Sequence, residues 1–169
     1  AQKLAKLPAI FKDGGTVHAG NSSGVTDGAA AVVVASAAAV NKHGLVPVAR
    51  ITGWNVAGVA PEIMGIGPVN ATRGLLSKLN LELSDFDLIE LNEAFAAQLI
   101  ACDRELHFDR ERLNVHGGAI ALGHPIGATG CRIAVTLLHA MQRRDVRRGM
   151  ASLCISGGMG LSVAFERDL

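Results

Sequence analysis

MASLCISGGMGLSVAFE, residues 150–166, is the stretch on which the architecture turns. Its first six residues are an apolar run ending in Cys154 and Ile155, and residues 161–166 alternate in polarity as a strand does. A glycine-rich turn separates the two runs, so they read as a hairpin, and a sheet that holds it beside strands joined by helices is mixed. Glycine at this density marks backbone that something else must approach closely. A cysteine at the end of such a strand raises the question of what that something is.

Upstream of the hairpin, strand and helix patterns alternate. Residues 127–144 carry Ala134, Leu137, Leu138 and Met141 at helical spacing, and residues 92–106 do the same with Phe95, Leu99, Cys102 and Leu106. Residues 68–79 read as a third helix, with Pro68 in its first turn and Asn80 at its end. Strands are expected at 86–91 and at 48–59, the latter broken by Gly53. Residues 29–36 form a continuous valine-rich run, the pattern of a strand covered on both faces. Residues 1–28 are irregular, with Pro8, Gly14, Gly15 and GNSSG as loop signals. This alternation predicts an α/β domain with a mixed five-stranded sheet and helices on both faces.

Composition narrows the function classes. The 169 residues are 49% hydrophobic with a net charge of +1, which argues against a nucleic-acid surface. The longest uncharged apolar run, AAAVVVASAAAV, is too short to span a bilayer. Three cysteines spaced far apart make no disulfide framework and fit a reducing, cytoplasmic setting. The chain starts without Met and shows no leader pattern, so it is expected to be part of a longer protein whose targeting information could lie elsewhere.

Three polar residues follow expected strands, where ligands of open α/β sheets bind: Asn92, His124 and Cys154. His124 stands between Gly123 and Pro125, so its backbone is held by one neighbour and open to approach at the other. A cysteine beside free backbone N–H groups has oxyanion donors at hand, and an imidazole can take or hold a thiol proton. Asn92 equally suits a helix cap. Cys102 and Cys131 lie on or beside apolar helix stripes and read as core. The basic cluster at 143–148 reads as a solvated helix end, and GIGP at 65–68 lacks the context of a dinucleotide fingerprint. No metal-ligand spacing occurs.

Five stretches in order, AGNSSGVTDGAAAVVV (19–34), PEIMGIGPV (61–69), LNEAF (91–95), NVHGGAIALGHPIGATG (114–130) and CISGGMG (154–160), resemble the thiolase family of acyl-CoA C-acyltransferases. The resemblance covers nearly the whole chain and corresponds to the C-terminal half of a thiolase. It implies a C-terminal domain over 29–169, preceded by lead-in loops of the CoA channel over 1–28. It implies acyl transfer between acyl-CoA and CoA, by thiolytic cleavage of a 3-ketoacyl-CoA or Claisen condensation of acetyl-CoA. Coenzyme A thioesters are then substrates, and no further cofactor or metal is expected.

By position, His124 matches the histidine that activates the nucleophile and helps bind the thioester oxygen. Cys154 matches the cysteine that moves the α-proton, and Asn92 the asparagine that holds an oxyanion-hole water. Ser156 matches the residue whose N–H completes the second hole. Ser22, Ser23, Phe11, Met64, Ala94 and Phe95 match positions lining the pantetheine channel. The family's nucleophilic cysteine belongs to the first half, so this chain alone is expected to be inactive. Its expected partners are an N-terminal thiolase half and further copies, as homodimer or homotetramer, with no nucleic acid or membrane.

Ser156 departs from a usual glycine, Ser22 from alanine, Thr129 from serine and His116 from asparagine; LPAIF at 7–11 also departs from the common pattern. A non-catalytic thiolase-like assembly or binding module is the alternative reading. A ketoacyl-synthase-like enzyme fits less well, because those enzymes place histidine where Cys154 stands.

Overall fold

The computed structural model describes residues 2–168. Its first helix, α1 (Ala37–His43), starts where Ser36 Oγ accepts a hydrogen bond from the Ala39 N–H at 3.2 Å, and it ends at Gly44 in the left-handed region. Strand β1 (Arg50–Gly58) leads through a 3-10 segment, Pro61–Ile66, into α2 (Gly67–Leu79). Pro68 opens α2 and Asn80 closes it with φ 52°, as the punctuation of the sequence implies. Then come β2 (Leu88–Leu91), α3 (Ala96–Leu106), the single-turn α4 (Ala119–Leu122), α5 (Thr129–Arg144), β3 (Arg148–Ile155) and β4 (Met159–Glu166).

The sheet is mixed and runs β1-β4-β3-β2, with β2 parallel to β3 and the other two pairings antiparallel. The hairpin at residues 150–166 therefore supplies the two central strands. Their side chains alternate between two apolar layers. Met150 and Ala164 join Ile89, Leu91, the α2 residue Leu75 and the α3 residues Leu99 and Cys102 on one face. Ala151 and Phe165 join Leu88 and the α5 residues Ile133, Leu137 and Met141 on the other. Helices thus cover both faces. Fully burying one such leucine, Leu75 or Leu137, stabilises the fold by about 2 kcal/mol.

The expected fifth strand at 29–36 is not one. The segment makes no ladder among the described residues, and Val33 and Val34 stand 92% and 76% exposed. Apolar character alone does not make a strand; its N–H and C=O groups need a neighbouring backbone. A fifth position exists elsewhere, as a single parallel bridge between Ile89 and Leu113 beside β2. In β1 the register shifts between Ile51 and Gly53, where a side chain on Gly53 would press on Leu75 and Leu79 of α2. The basic cluster divides: Arg143 and Arg144 end α5 exposed, while Arg147 and Arg148 grip Glu166 at 2.7 and 3.1 Å. That grip holds the Glu166 carboxyl below the usual carboxylate range.

Candidate functional site

The parallel strands β2 and β3 end side by side, and the Asn92 N–H donates to Ser152 O at 3.0 Å. Asn92 and Cys154 therefore leave neighbouring strand ends. Asn92 is not a helix cap: α3 begins only at Ala96, with no side-chain cap. Its side chain is instead 1% exposed, with Nδ2 3.5 Å from His124 Nε2 and Oδ1 without a protein partner among the described residues. A buried carboxamide oxygen left unpaired is costly unless water or ligand completes it.

The loop holding His124 is fixed from several sides. The His124 N–H donates to Gly24 O at 2.8 Å, and Nδ1 lies 2.6 Å from Thr129 Oγ1. Glu93 braces the loop from β2's side, accepting from the Ile120 N–H and from Asn114 Nδ2, both at 3.2 Å. Asn114, at φ 48°, uses its carboxamide as a substitute strand: its Oδ1 accepts from the Leu91 N–H and its Nδ2 donates to Leu91 O, each at 2.9 Å. Burial, and then the positive charge of Arg132, holds the His124 imidazole below its ordinary value. The ring is thus neutral at neutral pH, with a nitrogen lone pair available as a base.

Cys154 is half-buried and pairs across the hairpin with Gly160. Burial pushes its thiol up, partly offset by a backbone hydrogen bond. At neutral pH the group therefore rests as a thiol. No side-chain hydrogen bond joins it to Asn92 or His124 among the described residues.

The glycines beside it answer the question that the hairpin raised, because two of them are approached by the protein's own backbone. A side chain on Gly158 would meet the backbone of Val59 and Pro61, and one on Gly160 would meet the backbone of Gly67 and Pro68. Those two glycines admit the lead into α2. Only Gly157, φ 86°, faces open space, next to the exposed Ser156.

The residues expected to line the pantetheine channel converge in part. Ser22 bridges to Phe95, Ser23 Oγ donates to Ala94 O at 3.0 Å, and Phe11 meets the Phe95 ring edge-on with centroids 5.7 Å apart. Ala94 is buried, while Phe11 is 70% exposed. Met64 is half-buried on the Pro61–Ile66 turn. Cys102 is core as read: it is fully buried, its Sγ donates to Gly65 O at 3.4 Å, and burial pushes its thiol up to about 11. Cys131 lies half-buried on α5.

Two buried charges next to the site escaped the sequence reading. Glu90, in β2, is 2% exposed, and burial lifts its carboxyl to about 7 against the pull of Arg132. Both terminal nitrogens of Arg132 are buried without a hydrogen-bond partner among the described residues. Within a four-residue strand such as β2, a polar side chain gives no sign of whether it points inward. Thr129, a hydroxyl five residues past His124, and Glu93 and Asn114, polar residues flanking the strand ends, carry no sequence signal of the contacts they make.

The fold and its cluster define a class: a layered α/β domain with a carboxamide, an imidazole and a thiol gathered around its strand ends. The description "Thiolase, C-terminal domain" matches residues 45–167 and "Thiolase, N-terminal domain" matches residues 1–38, and the chain belongs to the thiolase family. It is 57% identical over 167 residues to an acetyl-CoA acetyltransferase of Chromobacterium violaceum, covering 99% of this chain and 43% of that protein. It is 53% identical to the human mitochondrial 3-ketoacyl-CoA thiolase, covering 98% of this chain and 42% of that one.

Among solved structures, the Bacillus anthracis acetyl-CoA acetyltransferase superposes with a TM-score of 0.95 at 51% identity, covering 98% of this chain and 42% of that one. Human mitochondrial 3-ketoacyl-CoA thiolase in complex with CoA gives 0.92 at 47% identity, covering 99% and 43%. The chain thus spans a little over two fifths of the length of the relatives it matches. The exposed segment 29–36 falls in the part matched by the N-terminal description.

Proposed function

We propose that this chain supplies the C-terminal share of a thiolase active site, catalysing acyl transfer between acyl-CoA and CoA together with an N-terminal thiolase half. The observation that carries the reading is the Asn92–His124 pair: a neutral imidazole 3.5 Å from a buried carboxamide whose oxygen has no partner among the described residues, beside the strand that carries Cys154. In the reaction, His124 takes the proton of a nucleophilic thiol from the N-terminal half. The thiolate attacks the thioester carbonyl, the C–S bond breaks and CoA leaves as its thiol, giving an acyl-cysteine. A water held by Asn92 and His124 receives the oxygen's developing charge, and the Ser156 N–H serves the second thioester oxygen.

Cys154 works on the α-carbon. As a thiol it protonates the enolate released when a 3-ketoacyl-CoA is cleaved; as a thiolate it removes the α-proton for condensation. Its upward-pushed thiol favours the protonated form at rest, the form that cleavage uses. The lead-in loops over 1–28 carry Phe11, Ser22 and Ser23, which with Ala94, Phe95 and Met64 line the pantetheine arm, ahead of the domain over 29–169. The human relative's structure with CoA supports a CoA ligand. We place the activity in fatty-acid metabolism in the cytoplasm, in a homodimer or homotetramer.

The test joins the chain to the N-terminal half of a thiolase and follows radiolabelled acetyl-CoA. Acyl-enzyme forms in the joined protein and not on the 169-residue chain alone. Labelling of the chain alone, or no labelling of the joined protein, contradicts the proposal.

A further inference from the structure

Thr129 sits at the start of α5, five residues past His124, and has a single hydroxyl proton to place. Its Oγ1 lies 2.9 Å from Pro125 O and 2.6 Å from His124 Nδ1. The carbonyl can only accept, and the hydroxyl donates to it across 2.9 Å. The hydroxyl proton therefore belongs to the Pro125 contact, the back-bond that a threonine makes to the carbonyl four residues earlier. That leaves the Thr129 oxygen facing Nδ1 as an acceptor, which requires Nδ1 to carry the ring proton.

We infer that Thr129 is a positioning residue that locks His124 in the Nδ1–H tautomer and so reserves the Nε2 lone pair for the site. The opposite ring edge agrees. Nε2 is the atom that faces Asn92 Nδ2, and a carboxamide nitrogen can only donate. The Pro125 carbonyl is itself fixed by the N–H groups of Ala128 and Thr129, at 2.7 and 2.9 Å, so the chain Pro125–Thr129–His124 is anchored in the first turn of α5. The ring is also turned by its backbone, whose N–H is held by Gly24 O. Burial keeps the imidazole neutral near pH 7, so a tautomer exists to be chosen. A histidine of the wrong tautomer presents an N–H where a base is needed, and in a serine protease that error costs about 10⁴ in turnover.

The tautomer is a property of this chain, but its catalytic consequence rests on the function proposed above. The closing experiment therefore has two arms. In the first, the ¹⁵N-labelled 169-residue chain is examined at neutral pH by two-bond ¹H–¹⁵N correlation of its imidazoles. His124 shows a protonated Nδ1 and a bare Nε2. Thr129→Val shifts the ratio toward Nε2–H by about fivefold, the worth of one hydrogen bond, and Thr129→Ser restores it. A wild-type proton on Nε2, or an unchanged tautomer in folded Thr129→Val, overturns the inference. If the valine variant does not fold, the wild-type and serine spectra decide alone.

In the second arm, the chain joined to an N-terminal thiolase half is acylated by acetyl-CoA. Thr129→Val slows acylation at least about tenfold and Thr129→Ser recovers it, with KM for acetyl-CoA little moved. Full-speed acylation by Thr129→Val overturns the positioning role. Absence of acylation in the wild type refutes the proposed function and leaves the tautomer result standing.

Discussion

At the scale of single residues, the chain distributes charge so that its reactive groups rest uncharged. His124 is held neutral by burial and by Arg132, and Cys154 is held as a thiol by burial. Cys154→Ala or Cys154→Ser in the joined enzyme is expected to slow α-proton exchange of acetyl-CoA at least ~100-fold, the lower range for a positioned acid/base. Acylation should survive better, since it removes no α-proton, whereas His124→Ala should damage acylation itself. Following the two steps separately in single-turnover labelling checks the division; exchange at the wild-type rate in Cys154→Ala would refute it.

Glu90 offers a readout independent of turnover. Its folded carboxyl is raised from 4.5 to about 7, so the folded chain keeps a proton that the unfolded chain gives up. The stability this represents is full below about pH 4.5 and is lost as pH rises through about 7. The loss amounts to about 3 kcal/mol at 1.36 kcal/mol for each unit of pKa. Glu90→Gln, which fills the same space without titrating, should flatten that decline in urea unfolding followed from pH 5 to pH 8. An equally steep decline in the variant would assign the dependence to other groups.

At the scale of elements, the hairpin of β3 and β4 does two jobs with one turn. It carries Cys154 near the end of the central strand β3, and its glycines accept the backbone leading into α2. These jobs separate by mutation. Gly157→Ala meets open space and should cost only about 1–2 kcal/mol for its left-handed backbone. Gly160→Ala drives a methyl into the Gly67–Pro68 backbone and should cost more, about 3 kcal/mol or above. Urea midpoints of the two variants check the order, and equal losses would mean that α2 does not depend on the turn.

Much of this level was legible in the sequence because pattern and punctuation agreed. Pro68 and Asn80 bracket α2, and the stripe of Leu137 and Met141 identifies α5. The segment 29–36 misled because valine-rich composition reports burial or pairing without saying which other backbone supplies it. The candidate site was legible where a residue sits at a strand end, Asn92 just past β2 and Cys154 in the last two residues of β3. Its supports were not. Thr129, Glu93 and Asn114 act through contacts made by loops closing across the strand ends, and spacing along the chain does not encode those.

At the scale of the whole molecule, the apolar surface is unevenly closed. Val33, Val34 and Val46 are exposed in the segments around α1, and Trp54 and Val56 are exposed on β1. Val33 and Val34 fall within residues 1–38, the part that the N-terminal thiolase description matches, and Val46, Trp54 and Val56 within the part that the C-terminal description matches. Exposed apolar patches of this kind mark interaction surfaces. The chain alone is expected to bind a hydrophobic dye, and joining it to an N-terminal half should quench that binding. Val33→Asp should lower dye binding with less than about 0.5 kcal/mol change in stability, as for a surface substitution. Unchanged dye fluorescence on joining the halves would show that the N-terminal half covers some other face.

The account's central claim is that this chain completes an acyl-transfer site instead of serving as a scaffold. The direct measurement is cleavage of acetoacetyl-CoA by CoA, comparing the joined enzyme with its Asn92→Ala, His124→Ala and Cys154→Ala variants, each confirmed as folded. The account predicts turnover in the parent and a loss of at least ~100-fold in the His124 and Cys154 variants, with a smaller loss for Asn92. Turnover that persists at the parent rate in all three variants would contradict it.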